Sequence, residues 1–409
     1  MNEPRVINWI EEGKACSARW RSESGMPPPK RVIVADDTMK ADDAYRLACE
    51  GTALLWSGDF QNAKQLLQAM SRRIDRKPRK PVLMELLAIR LGRPKTAAKP
   101  VLSMVEGSRV MSMDEGVSTV TSEAFNLHRQ AQSQRARTLA MVLMPLDSEY
   151  TILLRRAPDI RLACSEAYGA GNEPSVVSLR ELLGLIGAHE WRKKGVEIPV
   201  LGERIHPHYG VFSPVRGEYV GLVNTAPLPS AELAFDIGTG TGVLGAVLAC
   251  RGVKHVVATD RDPRALACAR ENIARLGLKE QVEVLQTDLF PTGKAPLIVC
   301  NPPWIPARPG SPIEHAIFDP DSRMLRGFIS GLAAHLAPGG EGWLVLSDIA
   351  EHLGLRTRDE LLAWIDAAGL KVIARIDVKP HHPKVADTTD PLHAARAGET
   401  TSLWRLAIK

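Results

Sequence analysis

Two stretches of this 409-residue chain hold residue types that could do chemistry at a ligand. The first is IVCNPPW, Ile298 to Trp304, an apolar strand that runs into Asn301, Pro302, Pro303 and Trp304. An amide or aromatic-amine nitrogen has a delocalised lone pair and is a poor nucleophile. The Asn301 side-chain oxygen and the Pro302 carbonyl can accept its two N–H groups, fixing the nitrogen and drawing lone-pair density toward an electrophile. The prolines set φ and remove N–H donors, so the loop presents acceptors only. Trp304 offers a flat face to whatever carries the amine. The second stretch is LAFDIGTGTGVLG, Leu233 to Gly245, which reads as strand, glycine turn, helix. Glycines 238, 240 and 242 let a ligand lie against the backbone at the helix mouth, and Asp236 at the strand tip suits a cationic, amino-acid-bearing ligand. Two further carboxylates end later strands. Asp260 lies about 20 residues beyond the turn, where it can accept ribose hydroxyls, and Asp288 follows in TDLF.

The elements that must position these residues are strands 233–238, 255–260, 282–288, 297–301 and 343–347, alternating with helical segments. Such alternation predicts a parallel sheet with helices on both faces and ligands beyond the carboxyl ends of the strands. Residues 371–378 and 401–408 have only a loop between them and are expected to pair antiparallel at the edge. Asp262 before Pro263 reads as a helix cap. Gly240, Gly242 and Gly245 also spell the dinucleotide fingerprint G-x-G-x-x-G. In that fold the first glycine follows the strand directly, whereas here Asp236 and Gly238 come first, and the antiparallel edge pair argues against it as well.

The pattern D-x-G-x-G-x-G resembles the cofactor loop of class I S-adenosylmethionine methyltransferases. DIGTGTG, ATDRDPRALACARENI, TDLF and NPPW together resemble N-methyltransferases of the "methyltransferase small" type, related to release-factor and ribosomal-protein glutamine methyltransferases and to rRNA guanine methyltransferases. The likeness covers about residues 202–409. It implies a Rossmann-like domain at 196–409 with a seven-stranded sheet, its last strand antiparallel, and S-adenosyl-L-methionine as cofactor. Asp236, Gly238, Gly240 and Gly242 would hold the amino-acid end and sulfur, Asp260 the ribose and Asp288 the adenine, with Thr239, Arg261, Leu289 and Asn301 alongside. Asn301, Pro302, Pro303 and Trp304 would bind the acceptor. Phe318-Asp319-Pro320 resembles a Phe-Glu-Pro element of the glutamine enzymes, and GVFS (211–213 and its preceding glycine) resembles the guanine enzymes. FSPVRGEY and LSDIAEHLG depart from the glutamine pattern. The expected acceptor is a glutamine amide of a translation-related protein. An RNA base amine, a small-molecule amine and a non-catalytic RNA-binding module are the alternatives, and no metal is expected.

Residues 1–195 are expected to form a mostly helical accessory region that recognises the macromolecular acceptor. Residues 41–74 read as two helices broken at Gly58, with Asp59 capping the second. Helical spacing returns at 125–144, with Arg129, Arg135 and Arg137, and at 176–191. Between Arg72 and Lys99 ten basic residues stand against Asp75 and Glu85, so that 77–122 is either a contact for RNA or ribosomal phosphates or a solvated linker. Six scattered cysteines without C-x-x-C, no signal-peptide pattern and no apolar run of membrane-spanning length describe a reduced, cytoplasmic protein without a zinc module. Cys300 is expected to be a buried, inert thiol, the histidine pairs 206/208 and 381/382 exposed loop residues, and 379–399 either a lid or substrate contact or disordered.

Overall fold

A computed structural model describes residues 5–75, 114–215, 217–380 and 390–409. The basic stretch 77–113 and His381 and His382 lie outside the described residues. The amino-terminal elements are β1 (Val6–Glu11), β2 (Lys14–Arg21), β3 (Arg31–Ala35), α1 (Ala41–Cys49), β4 (Thr52–Trp56), α2 (Phe60–Ile74), α3 (Asp114–Leu139), β5 (Val142–Leu146), α4 (Arg161–Tyr168), β6 (Ser175–Ser178) and α5 (Leu179–Lys194). Helices carry more of these residues than strands do. They pack on a six-stranded sheet, ordered β1-β2-β6-β5-β4-β3, which sequence periodicity does not reveal. Strands β3, β4 and β5 are parallel, and the sheet curls until β1 lies near β3, which shields both edges.

The two-helix reading of 41–74 is corrected here. Leu54 and Leu55 belong to no helix. The helix α1 stops at Cys49, Gly51 turns the chain at positive φ, and TALLW runs as a strand buried at every position. A short, continuously apolar run has no period, so residue spacing cannot separate a buried strand from a buried helix turn. The cap is as expected, with the Asp59 carboxylate accepting from the Gln61 N–H at 2.8 Å.

The hairpin β7 (Val196–Ile198) and β8 (Glu203–Ile205) leads to α6 (Glu218–Thr225) and the second sheet: β9 (Leu233–Ile237), α7 (Val243–Cys250), β10 (His255–Asp260), α8 (Pro263–Arg275), β11 (Val282–Gln286), β12 (Ala295–Cys300), α9 (Arg323–His335), β13 (Leu336–Ser347), α10 (Ile349–His352), α11 (Arg358–Ala367), β14 (Leu370–Val378), α12 (His393–Gly398) and β15 (Thr401–Ile408). The strand order is β11-β10-β9-β12-β13-β15-β14, and β15 runs antiparallel between β13 and β14. Core side chains fill both faces: Val247, Val256 and Trp343 on one, Phe235, Phe328 and Leu344 on the other.

The two halves meet in a charged seam. Arg192 bonds Glu166 at 3.0 Å and Glu271 at 2.6 Å, and Arg264 bonds Glu23 at 2.7 Å. His206 and His208 are half-buried in it rather than exposed. The His208 ring contacts Glu271 at 2.7 Å, and the His206 ring contacts the Arg192 carbonyl at 2.7 Å. Burial opposes ionisation of Glu271, yet Arg275, His208 and Arg192 hold its carboxyl down to about 2. Among the described residues no helix is long and apolar enough to cross a membrane, and no cluster of His, Cys, Asp and Glu could hold a metal ion.

Candidate active site

Register brings the strand ends to one edge. Cys300 and Thr259 both pair with Ile237, so Asn301, Asp260 and Gly238 leave the sheet side by side. The turn between β9 and α7 is held by the Thr239 N–H on the Thr259 carbonyl at 2.8 Å and by the Gly242 N–H on the Thr239 carbonyl at 2.9 Å. Gly242 sits at φ +83°, where a Cβ would meet the Ala269 backbone at 3.3 Å. At Gly240, φ +56°, a Cβ would meet nothing within 4 Å. The open face of the turn is therefore above Gly240.

Asp236 is 1% exposed and braces this turn from beneath. Its Oδ2 accepts from the Thr239 hydroxyl at 2.6 Å and from the Gly245 N–H at 2.9 Å. Burial pushes its carboxyl up to about 6 against the pull of those two bonds. Asp260 lies at the rim, accepting from the Gly240 N–H at 3.1 Å and the Asp262 N–H at 2.9 Å, and burial raises its pKa too. Asp262 caps α8 as expected. Leu289 adopts φ +68°, and its carbonyl accepts from the Thr259 hydroxyl at 2.6 Å, which draws the TDLF turn against β10. Asp288 projects into solvent, 4.0 Å from Arg323, and Arg261, the residue after Asp260 at the end of β10, is exposed as well.

Pro302 is buried, and Asn301, Pro303 and Trp304 are half-exposed. The Trp304 indole N–H donates to Asn301 Oδ1 at 2.9 Å. A carboxamide oxygen has two lone pairs, so this bond orients the group and leaves one acceptor site open. Trp304 thus acts first on Asn301, a contact that spacing in sequence does not show. Cys300 is fully buried, and burial raises its thiol well above the ordinary value.

Other residues at the site are not evident in the motifs. Fully buried Asn272 of α8 accepts from the His206 N–H at 2.8 Å and donates to the Thr241 carbonyl at 3.0 Å, clamping the glycine turn to the seam. Met324 lies over Gly238, its terminal methyl occupying the place a Cβ would take. Buried Asp319 accepts from the Met324 and Leu325 N–H groups and so caps α9, which gives Phe318-Asp319-Pro320 a structural task. The divergent LSD stretch ties down the chain before β15: the Ser347 hydroxyl donates to Glu399 at 2.7 Å, and Asp348 accepts from the Thr400 N–H at 2.6 Å. Leu392 and Ala395 join the cluster against which Trp304, Ile305 and Phe318 pack, and residues 381–389 of the same loop lie outside the described residues.

The family described as Methyltransferase small domain matches residues 203–358. A protein assigned to the N5-glutamine methyltransferases in Methanocaldococcus jannaschii is 31% identical over 153 residues, which is 36% of this chain and 75% of that one. The chain belongs to the methyltransferase small domain family. A release factor glutamine methyltransferase of Cereibacter sphaeroides is 33% identical over 200 residues, 44% of this chain and 65% of its own length. A tRNA1(Val) (adenine(37)-N6)-methyltransferase of Shewanella loihica is 28% identical over 176 residues, 40% of this chain and 70% of that one. The chain spans about two thirds of the length of the Cereibacter relative, and the family match leaves its first 202 residues uncovered. The second sheet, with β15 antiparallel, is the class I methyltransferase sheet that the motifs imply.

Proposed function

We propose that this chain is a cytoplasmic N-methyltransferase that uses S-adenosyl-L-methionine to methylate a planar nitrogen, the glutamine amide of a translation-related protein. The observation that carries this reading is the emergence of Asn301 and Pro302 level with the glycine turn. The residues present fit the cofactor: open space above Gly240, a carboxylate at the rim in Asp260, and negative charge beneath the turn in Asp236. When bound, the cofactor supplies an electrophilic methyl group on a sulfonium. The chain's own residues position the acceptor. Asn301 Oδ1, turned by Trp304, and the Pro302 carbonyl take the two N–H groups, aim the lone pair and favour the charge that develops on nitrogen. An N-alkylated amide cation is strongly acidic and sheds its proton to water, so no general base is required. In this reading Asp288 and Arg261 face the adenosine end of the cofactor, while Thr239, Gly238, Gly242 and Leu289 shape the turn.

The tRNA-modifying relative and the basic residues between Arg72 and Lys99 favour a second reading, an RNA base amine as acceptor. Transfer of labelled methyl from S-adenosylmethionine into a lysate of cells lacking this protein separates the two. Label removed by protease supports the glutamine reading, label removed by RNase the second, and label in neither fraction overturns both.

The carboxylates predict a pH dependence. A cationic amino group binds the ionised site, and both carboxyls titrate high in the free protein, so binding must expel their protons. Affinity for S-adenosylhomocysteine, measured calorimetrically, is expected to be level above pH 7 and to weaken as pH falls through about 6.

A further inference from the structure

We propose that the acceptor site is composite, with Arg129 of the amino-terminal region as a positioning residue for the loop that follows Trp304. The inference rests on the reading of Asn301–Trp304 as the acceptor wall. Helix α3 has two anchorages. At its carboxyl end Leu139 is buried in the first core, and Arg135 bonds Asp75 and Ser71 near the end of α2. Farther toward its amino end Phe125, 4% exposed, packs among Ile349, Leu353, Leu392 and Ala395 of the second half. Residues 130–134 between them are all exposed. A helix that is polar all round through its middle gains nothing from burial there, and it acts as a strut between two bodies.

The strut ends on the acceptor loop. One Arg129 nitrogen donates to Glu314 Oε2 at 3.2 Å and another to the Arg308 carbonyl at 2.8 Å, while the guanidinium lies 4.1 Å from the centre of the Phe318 ring. The same Glu314 oxygen accepts from the Gly310 N–H at 2.8 Å. A planar cation with five donors makes these contacts together, and a lysine ammonium cannot. The base of the loop is closed next to Trp304: the Ile305 N–H donates to the Ile317 carbonyl at 3.2 Å and the Asp319 N–H to the Ile305 carbonyl at 2.8 Å. Trp304 and Phe318 pack against the cluster that receives Phe125. The place of the loop, and through it of Trp304 and Asn301, is set by a helix outside the family match.

Hydrogen–deuterium exchange over 305–318 in the full chain tests this. Arg129→Ala is expected to raise exchange there by about tenfold or more, from the loss of charge-assisted bonds and ring stacking. Labelled-methyl transfer into the lysate should fall with it, while S-adenosylhomocysteine affinity stays level. Arg129→Lys should recover part of both effects, and Glu314→Gln, which keeps its volume, should reproduce the alanine variant more weakly. Unchanged exchange at 305–318 in both Arg129→Ala and Glu314→Gln, or full transfer with a loosened loop, would overturn the proposal. Failure of the unaltered protein to bind S-adenosylhomocysteine would instead overturn the methyltransferase reading, and the exchange data would still decide the clamp.

Discussion

Asn301→Ala is expected to lower methyl transfer by about 10²–10³-fold or more while leaving S-adenosylhomocysteine affinity nearly unchanged. In the proposed mechanism the side-chain oxygen is one of two acceptors offered to the planar nitrogen, and the prolines supply no replacement. Its bond from Trp304 at 2.9 Å makes the effect separable from folding, because the alanine variant loses one partly exposed hydrogen bond and no core packing. Single-turnover transfer with saturating cofactor measures it. Trp304→Phe keeps a flat face and loses only the N–H that turns the carboxamide, so a smaller loss is expected. Equal losses in the two variants would mean that orientation of Asn301, rather than acceptance by it, dominates. Full activity of Asn301→Ala would remove the loop from the mechanism.

Gly240→Leu is expected to abolish measurable cofactor binding, at least about a hundredfold loss, with the fold retained. No protein atom lies within 4 Å of the place a Cβ would take at Gly240, so the new side chain enters the open face of the turn without a clash. The cost to stability is that of a non-glycine residue at positive φ, about 1–2 kcal/mol. Calorimetric titration with S-adenosylhomocysteine and a urea midpoint read the two effects separately. At Gly242 the same substitution would strike the Ala269 backbone and confound them. A Gly240→Leu protein that binds the cofactor normally would place the ligand elsewhere.

The second half of the fold was legible because its signals are local. Strands β9, β10 and β12 run into the glycine turn, Asp260 and Asn-Pro-Pro, β11 stops two residues before Asp288, and β10 and β15 begin and end where the residue pattern puts them. The first half was legible only in part. Its strands are short and its most buried one, TALLW, lacks any alternation, so the six-stranded sheet had no signature to read. Roles within the site divide in the same way. Cys300 as an inert thiol and Asp262 as a cap follow from neighbours in sequence. The bonds of Asp236 with Thr239 and of Asn301 with Trp304 join residues three apart, yet the turn geometry that lets them meet is not written in residue type, and the clamp at Asn272 joins residues 31 and 66 positions away.

By itself the amino-acid sequence determined the family, the class of sheet and the identities of the residues at the strand ends, because strand, turn and cap chemistry act over a few residues. Only the tertiary structure decided which oxygens stay open. Asp236 spends an oxygen on its own loop, Asp288 stands in solvent, and Arg129 reaches the loop after Trp304 from more than 170 positions away in the chain. Hydrogen bonds and ion pairs form between whatever the packed backbone brings within reach, and that proximity is a property of the assembled core.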